Sequence, residues 1–442
     1  MIPVIDFDRF LMAFSLGVHI ILASVGIALP AIIVVAEIIG IRNGDRQYSV
    51  MARRLSIVLV VLFAVGTASG TLVALELFLL WPGFMVLVGQ VAILPLYIEV
   101  FAFFLEAIFL AIYIYGWDKF SNRYAHALVG VIVGIGATAS GVLITMLNSF
   151  MNTPNGFNIA TYLSTGAITD VNPVAVLWTP ATGIEVLHVI ATTYFAGTFI
   201  FVAYMAFRLL RSGGMEKAYY MKGLKLTFAI LVIATFASVY TGILSINRLA
   251  IIQPEKYAAL EANLQSMPNA PEVIFGYLSN NSVKGAIVIS GLQSMLLGNA
   301  NIVVPGLLQY PKDTWPPFFV HDTFDIMVFL GFGFAGFMLL VLLLAVLKKR
   351  PFERRLILWL TTVAGVFAVI LLELGWATAE IARQPWIIYN VMLVSQAANY
   401  SPSVIPIAIL FIIIYAVIIP VTLLILRLLF RSRPLSNDLV GT

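Results

Sequence analysis

The chain has 442 residues, of which 61% are hydrophobic and only 10% charged, with a formal net charge of +4 and a mean hydropathy of +1.01. No soluble core needs that much apolar surface, so this is a polytopic membrane protein surrounded by a lipid bilayer, and nucleic acid is not a partner. The absence of cysteine excludes c-type haem attachment, cysteine-ligated iron–sulfur clusters, thiolate zinc sites and disulfides, and four histidines (His19, His126, His188, His321) exclude a His-rich multi-metal site.

The first residues, MIPVIDFDRF, carry acids and no basic start, so they do not read as a cleaved signal peptide. Nine apolar stretches then follow, each long enough to span. Span 1 (11–40) carries His19 and Glu37, with Arg9 at its start. Span 2 (55–81) ends with Glu76. Span 3 (91–117) holds Glu99 and Glu106, and span 4 (125–151) begins with His126. Span 5 (183–208) opens with His188, and span 6 (223–246) has no ionisable residue beyond its basic start. Span 7 (322–347) carries Met327, span 8 (356–378) carries Glu373, and span 9 (403–430) is apolar up to a basic end.

Basic residues set the orientation. Nineteen of the 25 lie after spans 1, 3, 5, 7 and 9, and six on the other side. The positive-inside rule puts the nineteen in the cytoplasm and the N-terminus outside. The stretch 283–306 is a tenth candidate, but spanning there would invert all later charges, and it is rich in Gly, Ser, Asn and Gln. It therefore reads as external, within one long loop, 247–321, whose length marks it as functional. The chain divides into membrane helices 1–246, the external loop 247–321, and helices with a cytoplasmic tail, 322–442. A faint repeat relates His19-Ile-Ile-Leu-Ala-Ser to His188-Val-Ile-Ala-Thr-Thr, each His lying 23 residues before an arginine, Arg42 or Arg211. The expected fold is all-α: two pseudo-symmetric four-helix bundles, spans 1–4 and 5–8, plus one peripheral helix.

Depth gathers the chemistry. At about 1.5 Å per residue, His19, Glu76, Glu99, Glu106, His188, Met327 and Glu373 all fall in the outer half of the membrane. An ionisable residue in lipid is costly and marks a cofactor, ion or proton path. Taken singly, a lone His is as often a helix-to-helix hydrogen-bonding residue, and a Met is usually packing. Glu99 and Glu106, seven residues apart, lie on one helix face and suit a proton relay. Glu37 and His126 read as structural. Single His, Met and Glu residues on separate helices suit haem, whose axial positions take His or Met. Arg9 could meet a haem propionate. A haem–copper oxidase needs more histidines, and a bc-type cytochrome b needs two on one helix.

At this point the residues resemble subunit I of the cytochrome bd quinol oxidases along nearly the whole chain. Asp8-Arg9-Phe10 leading to Val18-His19-Ile20 is similar to the family's first helix, and Gly66-Thr67-Ala68-Ser69-Gly70 running to Glu76 to its second. Ile98-Glu99, Phe104-Leu105-Glu106 and Gly116-Trp117-Asp118 resemble the third. Met151-Asn152-Thr153-Pro154, Leu187-His188, Ile326-Met327-Val328 and Glu373-Leu374-Gly375-Trp376 continue the match. The run Ala379-Glu380-Ile381-Ala382-Arg383-Gln384-Pro385-Trp386 is close to the family's most recognisable motif.

The resemblance implies two haems b and a haem d, or a further haem b in its place. It implies that His188 and Met327 hold a low-spin haem and that His19 and Glu373 serve two high-spin haems, with Glu99 and Glu106 beside them. It implies quinol oxidation at the external loop, with Lys256 and Glu261 contributing, and reduction of O2 to water with generation of a membrane potential. It also implies a second membrane subunit and a prokaryotic plasma membrane. Two alternatives are a haem-binding electron-transfer paralogue without oxygen chemistry and a proton-coupled transporter using Glu99 and Glu106. One position departs from the family: Asp325 stands where Arg is usual, two residues before Met327.

Overall fold

The computed structural model describes residues 4–440. In chain order the helices are α1 (Val4–Asn43), α2 (Arg46–Leu80), α3 (Pro82–Val91), α4 (Leu94–Gly116), α5 (Arg123–Asn152), α6 (Ile159–Thr165), α7 (Pro173–Leu177), α8 (Thr182–Arg211), α9 (Gly214–Ile252) and α10 (Pro254–Leu260). After strands β1 (Glu272–Ile274), β2 (Tyr277–Ser279), β3 (Ser282–Lys284) and β4 (Ile287–Ile289) come α11 (Leu292–Leu296), α12 (Val320–Val346) and α13 (Arg355–Ile381). Strands β5 (Trp386–Ile388) and β6 (Met392–Leu393) precede α14 (Val394–Ala397), α15 (Val404–Ser432) and α16 (Leu435–Val440).

Among the described residues, nine helices are long and apolar enough to cross a membrane: α1, α2, α4, α5, α8, α9, α12, α13 and α15. They coincide with the nine expected spans but overrun several of them. α1 has 40 residues, roughly 60 Å at 1.5 Å per residue, against about 30 Å of hydrocarbon. The stretch 283–306 does not span; it holds β3, β4 and the five-residue α11. Strands were not expected. They form three two-stranded antiparallel pairs, β1–β4 enclosing the β2–β3 hairpin in the loop, and β5–β6 after α13.

Local chemistry sets the breaks. Gly44 ends α1 at φ +62°, a conformation that glycine adopts without strain. Asp45 then caps α2, accepting from Gln47 N at 3.0 Å, and its other oxygen pairs with Lys222 of α9. Asn122 caps α5 in the same way. In lipid, helices gain most by close approach. A methyl group added at Gly197 of α8 would lie 2.2 Å from Ser24 O of α1, and one at Gly365 of α13 would lie 2.4 Å from Ala203 Cβ of α8. These contacts place α8 between α1 and α13. The core is double. One part surrounds Leu29, Ile32, Phe199, Val202 and Leu224, and the other surrounds Trp81, Phe84, Phe150 and Tyr415.

Glu37 and His126, expected to be structural, form one buried lock. His126 Nδ1 lies 2.6 Å from Glu37 Oε1, Tyr113 OH donates to Glu37 Oε2 at 2.6 Å, and His126 Nε2 lies 2.8 Å from Tyr113 O. Arg123 adds an ion pair to Glu37 at 3.5 Å. Every polar atom of the Glu37 and His126 side chains is thus partnered, and α1, α4 and α5 are tied together.

Candidate functional site

His19 and His188 differ from this lock. His19 Nδ1 lies 2.9 Å from Ser69 Oγ of α2. Ser69 Oγ donates its one proton to Gly66 O at 2.9 Å, so toward His19 it can only accept. His19 therefore carries its proton on Nδ1 and presents a bare Nε2 lone pair. His188 repeats the arrangement on α8. Its Nδ1 lies 3.0 Å from Thr241 Oγ1 of α9, and that hydroxyl donates to Ala237 O at 2.8 Å. A ligating histidine needs this: a second partner that fixes the tautomer and leaves the other nitrogen for metal. His321 lacks it. Its Nδ1 meets Leu260 O at 2.7 Å, and its Nε2 faces Phe275 O at 3.4 Å and Asp325 at 3.5 Å.

Each of the four expected ligands also faces a glycine. A methyl group at Gly70 would lie 3.0 Å from His19 Cε1, and one at Gly242 would lie 3.4 Å from His188 Cε1. A methyl at Gly17 would lie 2.8 Å from Glu373 Oε2, and one at Gly375 would lie 3.4 Å from Met327 Sδ. Glu373 Oε1 is buried with no hydrogen-bond partner. Glu373 of α13 thus reaches α1 within one turn of His19, while Gly375 faces α12 at Met327. The donors fit haem: two imidazole lone pairs, one thioether and one unpartnered carboxylate oxygen, each beside a position where a side chain would fill the space. Arg9 is exposed and donates to Gln384 Oε1 at 3.0 Å.

Glu99 and Glu106 lie on α4 against α5. Ser140 Oγ donates to Glu99 Oε1 at 2.5 Å. Glu106 is buried, and a methyl at Gly136 would come within 2.9 Å of its backbone N. Glu76 is fully buried; it accepts from Ser15 Oγ at 2.6 Å, and its other oxygen has no partner.

A second polar group joins the C-terminal ends of α5 and α13, the N-terminal end of α8 and the short α10. Asn148 Nδ2 donates to Glu380 Oε1 at 2.6 Å, and Asn152 Nδ2 donates to Glu185 Oε1 at 2.9 Å. Ser149 Oγ donates to Glu185 Oε2 at 2.6 Å. Arg383 donates to Asn152 Oδ1 at 2.8 Å and pairs with Glu380. Lys256 is buried beside this group and donates to Ala379 O at 2.8 Å. Burial, with Arg383 nearby, pushes the Lys256 ammonium down to about 8 against the pull of Glu185 and Glu380.

Glu261, which shares the expected quinol role with Lys256, faces different neighbours. Five residues along a helical turn separate the two by about 140°. Glu261 is buried toward Glu272, Gln293 and Asp325. Asp325, in turn, accepts from Phe275 N at 2.5 Å and anchors the loop hairpins to α12. The sequence reading missed Glu185, Asn148, Asn152 and Thr241. Thr241-Gly242 was findable, because it repeats the Ser69-Gly70 pair of the other half.

The sequence model of the family described as cytochrome bd terminal oxidase subunit I matches residues 7–434. A Bacillus subtilis protein proposed as a cytochrome bd menaquinol oxidase subunit I is 37% identical over 98% of this chain and 97% of its own. Cytochrome bd ubiquinol oxidase subunit 1 of the same organism is 27% identical over 90% of this chain and 86% of its own. The solved bd oxidase of Geobacillus thermodenitrificans superposes with a TM-score of 0.90, at 38% identity, over 97% of this chain and 99% of that one. The chain belongs to the cytochrome bd terminal oxidase subunit I family, which makes it a haem protein and a multi-pass oxidase subunit of the bacterial plasma membrane.

Proposed function

We propose that this subunit oxidises quinol, menaquinol by similarity to its Bacillus relative, and passes the electrons to O2, which is reduced to water. His188 and Met327 would hold a low-spin haem b. His19 and Glu373 would hold two high-spin haems, one b and the other d or a further b. When bound, these groups store and transfer single electrons and bind the oxygen. The observation that carries the reading is the pair of bare Nε2 atoms, each fixed by a hydroxyl acceptor and flanked by a glycine.

The chain's own residues do the rest. Ser69 and Thr241 hold the two imidazoles in the ligating tautomer. Ser140 orients the Glu99 carboxylate. Glu106, one face-step deeper on α4, hands protons from the cytoplasmic side to Glu99. With the N-terminus outside, quinol protons leave on the external side while protons for water arrive from the cytoplasm, which builds a membrane potential. Lys256, beside the Glu185–Arg383 group, and Glu261 serve quinol at the external loop, 247–321, between the helical units 1–246 and 322–442. The repeated hydroxyl–glycine support argues for two related bundles. A second membrane subunit covers one side of the helical surface. The test is a reduced-minus-oxidised spectrum and pyridine haemochrome of the purified complex. Three haems are expected, with at least the b type present. One haem or none would sink the proposal.

A further inference from the structure

The long loop between α10 and α12 is pinned to α12 at one corner. Phe275 joins β1 to β2 at φ +56°, a left-handed conformation that a bulky residue keeps only when its surroundings hold it there. Two contacts hold it. Its backbone N donates to Asp325 Oδ2 at 2.5 Å, and its ring stacks on Phe329 of α12, 5.6 Å between centroids and 14° between planes. The level of Phe329 in the bilayer follows from the other end of α12. That helix has 27 residues and runs into Lys348, Lys349 and Arg350, which stay among lipid headgroups. About 20 helical residues fill the hydrocarbon thickness. Counting back from Val346 puts the opposite boundary near Met327. Asp322 and Asp325 then lie among headgroups, and Phe329 lies just inside the hydrocarbon. Phe329 is exposed on α12 together with Ile326 and Phe332, so it belongs to the lipid-facing side of the helix.

The loop carries its own apolar surface away from this corner. Ile287 pairs with Ile274, the residue before Phe275, and Ile287, Val288 and Ile289 of β4 are 63%, 60% and 44% exposed. β4 pairs with β1 alone, so its other edge is free. Tyr277 is 61% exposed and lies opposite Lys284 across β2–β3. The chain folds these residues together: a methyl at Gly276 would lie 3.1 Å from Ala286 Cβ, and one at Gly285 would lie 3.6 Å from Tyr277 Cε1. The far end of the hairpin is polar, Ser279-Asn280-Asn281-Ser282, and Lys312 donates to Asn281 Oδ1 there at 3.1 Å. An exposed apolar run on a free strand edge marks a contact surface.

We propose that the β1–β4 pair is a membrane-surface element that lays Tyr277, Ile287 and Val288 into the headgroup–acyl boundary of the leaflet at the N-terminal end of α12, with the Asp325–Phe275 contact as its anchor. The occupant is lipid because the patch continues the lipid-facing side of α12 through the stacked rings of Phe275 and Phe329. A strand rises about 3.3 Å per residue, so Ile287 and Val288 lie within about 7 Å of the corner along the strand. Tyr277 and Lys284 are the residue types that sit at such a boundary, ring or stem in the apolar layer and polar end among headgroups. The polar end with Asn281 and Lys312 stays in water. The proposal depends on neither the haem ligands nor the quinol site.

The chain has no cysteine, so a fluorescent label can be placed at one chosen position. Ile287→Cys, Val288→Cys and Tyr277→Cys, with Ser282→Cys at the polar end, are each labelled with bimane in the holo-complex in lipid nanodiscs. The complex without a substitution gives the background, and the haem spectrum shows that each variant is folded. Bromine on the lipid acyl chains quenches from within the bilayer, and iodide quenches from water. Bromolipid should quench the labels at 277, 287 and 288 severalfold more than the label at 282, and iodide should give the reverse order. Adding Asp325→Ala to Ile287→Cys removes the acceptor of the Phe275 N–H and should move that label toward iodide; an unchanged signal would overturn the anchoring role of Asp325. If iodide quenches the labels at 287 and 288 as strongly as the one at 282, and bromolipid has no effect, the hairpin stands in water and the proposal fails. If neither quencher reaches them, a protein surface covers the patch, and the proposal fails equally.

Discussion

The Glu37–His126 lock and the half-partnered histidines His19 and His188 use the same residue type to opposite ends. Near the C-terminal end of α1, His126 spends both ring nitrogens on Glu37 and Tyr113. Farther from that lock, His19 of α1 and His188 of α8 each spend one nitrogen on a hydroxyl and keep the other bare. Buried polar groups in lipid find partners because an unpaired one costs several kcal/mol. A histidine that is fully partnered is therefore explained by the fold. One that is half partnered, and is held in that state by a hydroxyl that accepts, keeps a ring nitrogen available to something outside the chain. Burial alone does not separate the two cases, since His126 is more buried than either His19 or His188.

The sharpest way to break this comparison is to remove the histidines one at a time. His188→Ala and His19→Ala should each delete a haem from the pyridine haemochrome of the purified protein and abolish turnover. His126→Ala should keep the full haem content but leave Glu37 buried without its main partner, lowering stability by about 3–5 kcal/mol as read by thermal unfolding. Loss of haem in the His126 variant, at unchanged stability, would reverse the assignment.

A smaller effect sharpens it. Ser69→Ala and Thr241→Ala remove the acceptors that fix the tautomers. Each should weaken haem retention about 10–100-fold, measured by transfer to apomyoglobin, without changing the fold. Equal retention in both variants would mean that packing at Gly70 and Gly242 alone positions the rings. Gly17→Ala tests the other ligand. Its new methyl would press on Glu373 at 2.8 Å, so a shift in the high-spin haem spectrum is expected with the low-spin signal preserved.

The nine helices were legible because long apolar runs carry that information directly. His19, Glu99, Glu106, His188, Met327 and Glu373 stood out for the same reason. Their supports did not. Ser69, Thr241 and Ser140 are ordinary helix residues until a neighbouring helix brings a ring or a carboxylate to them. The external loop was the least legible part. Its strands are three residues each, too short to leave a periodic pattern, and the hydrogen bond from Phe275 to Asp325 joins segments whose register only the fold determines. Lys256 and Glu261 sit five residues apart, which invites reading them as one site. Helical geometry sends them to different neighbours.

The division between Lys256 and Glu261 gives the mildest and most specific prediction. The Lys256 ammonium gives one proton to Ala379 O and has two left for a quinol oxygen. Burial and Arg383 lower its pKa from 10.5 to about 8. Its charge is therefore present below about pH 8 and lost above it. In stability the sign is opposite to that of a paired lysine. Between about pH 8 and 10.5 the unfolded chain binds the extra proton, so the folded state gains as pH rises through that window. In function, the quinol KM should rise by up to roughly tenfold between pH 7 and 9 as a charged hydrogen bond is lost. Lys256→Gln should start from the high KM and show no such rise. A flat profile in the unmodified protein, together with an unaltered KM in the variant, would assign Lys256 to holding α13 at Ala379 and leave quinol to the Glu261 side of the loop.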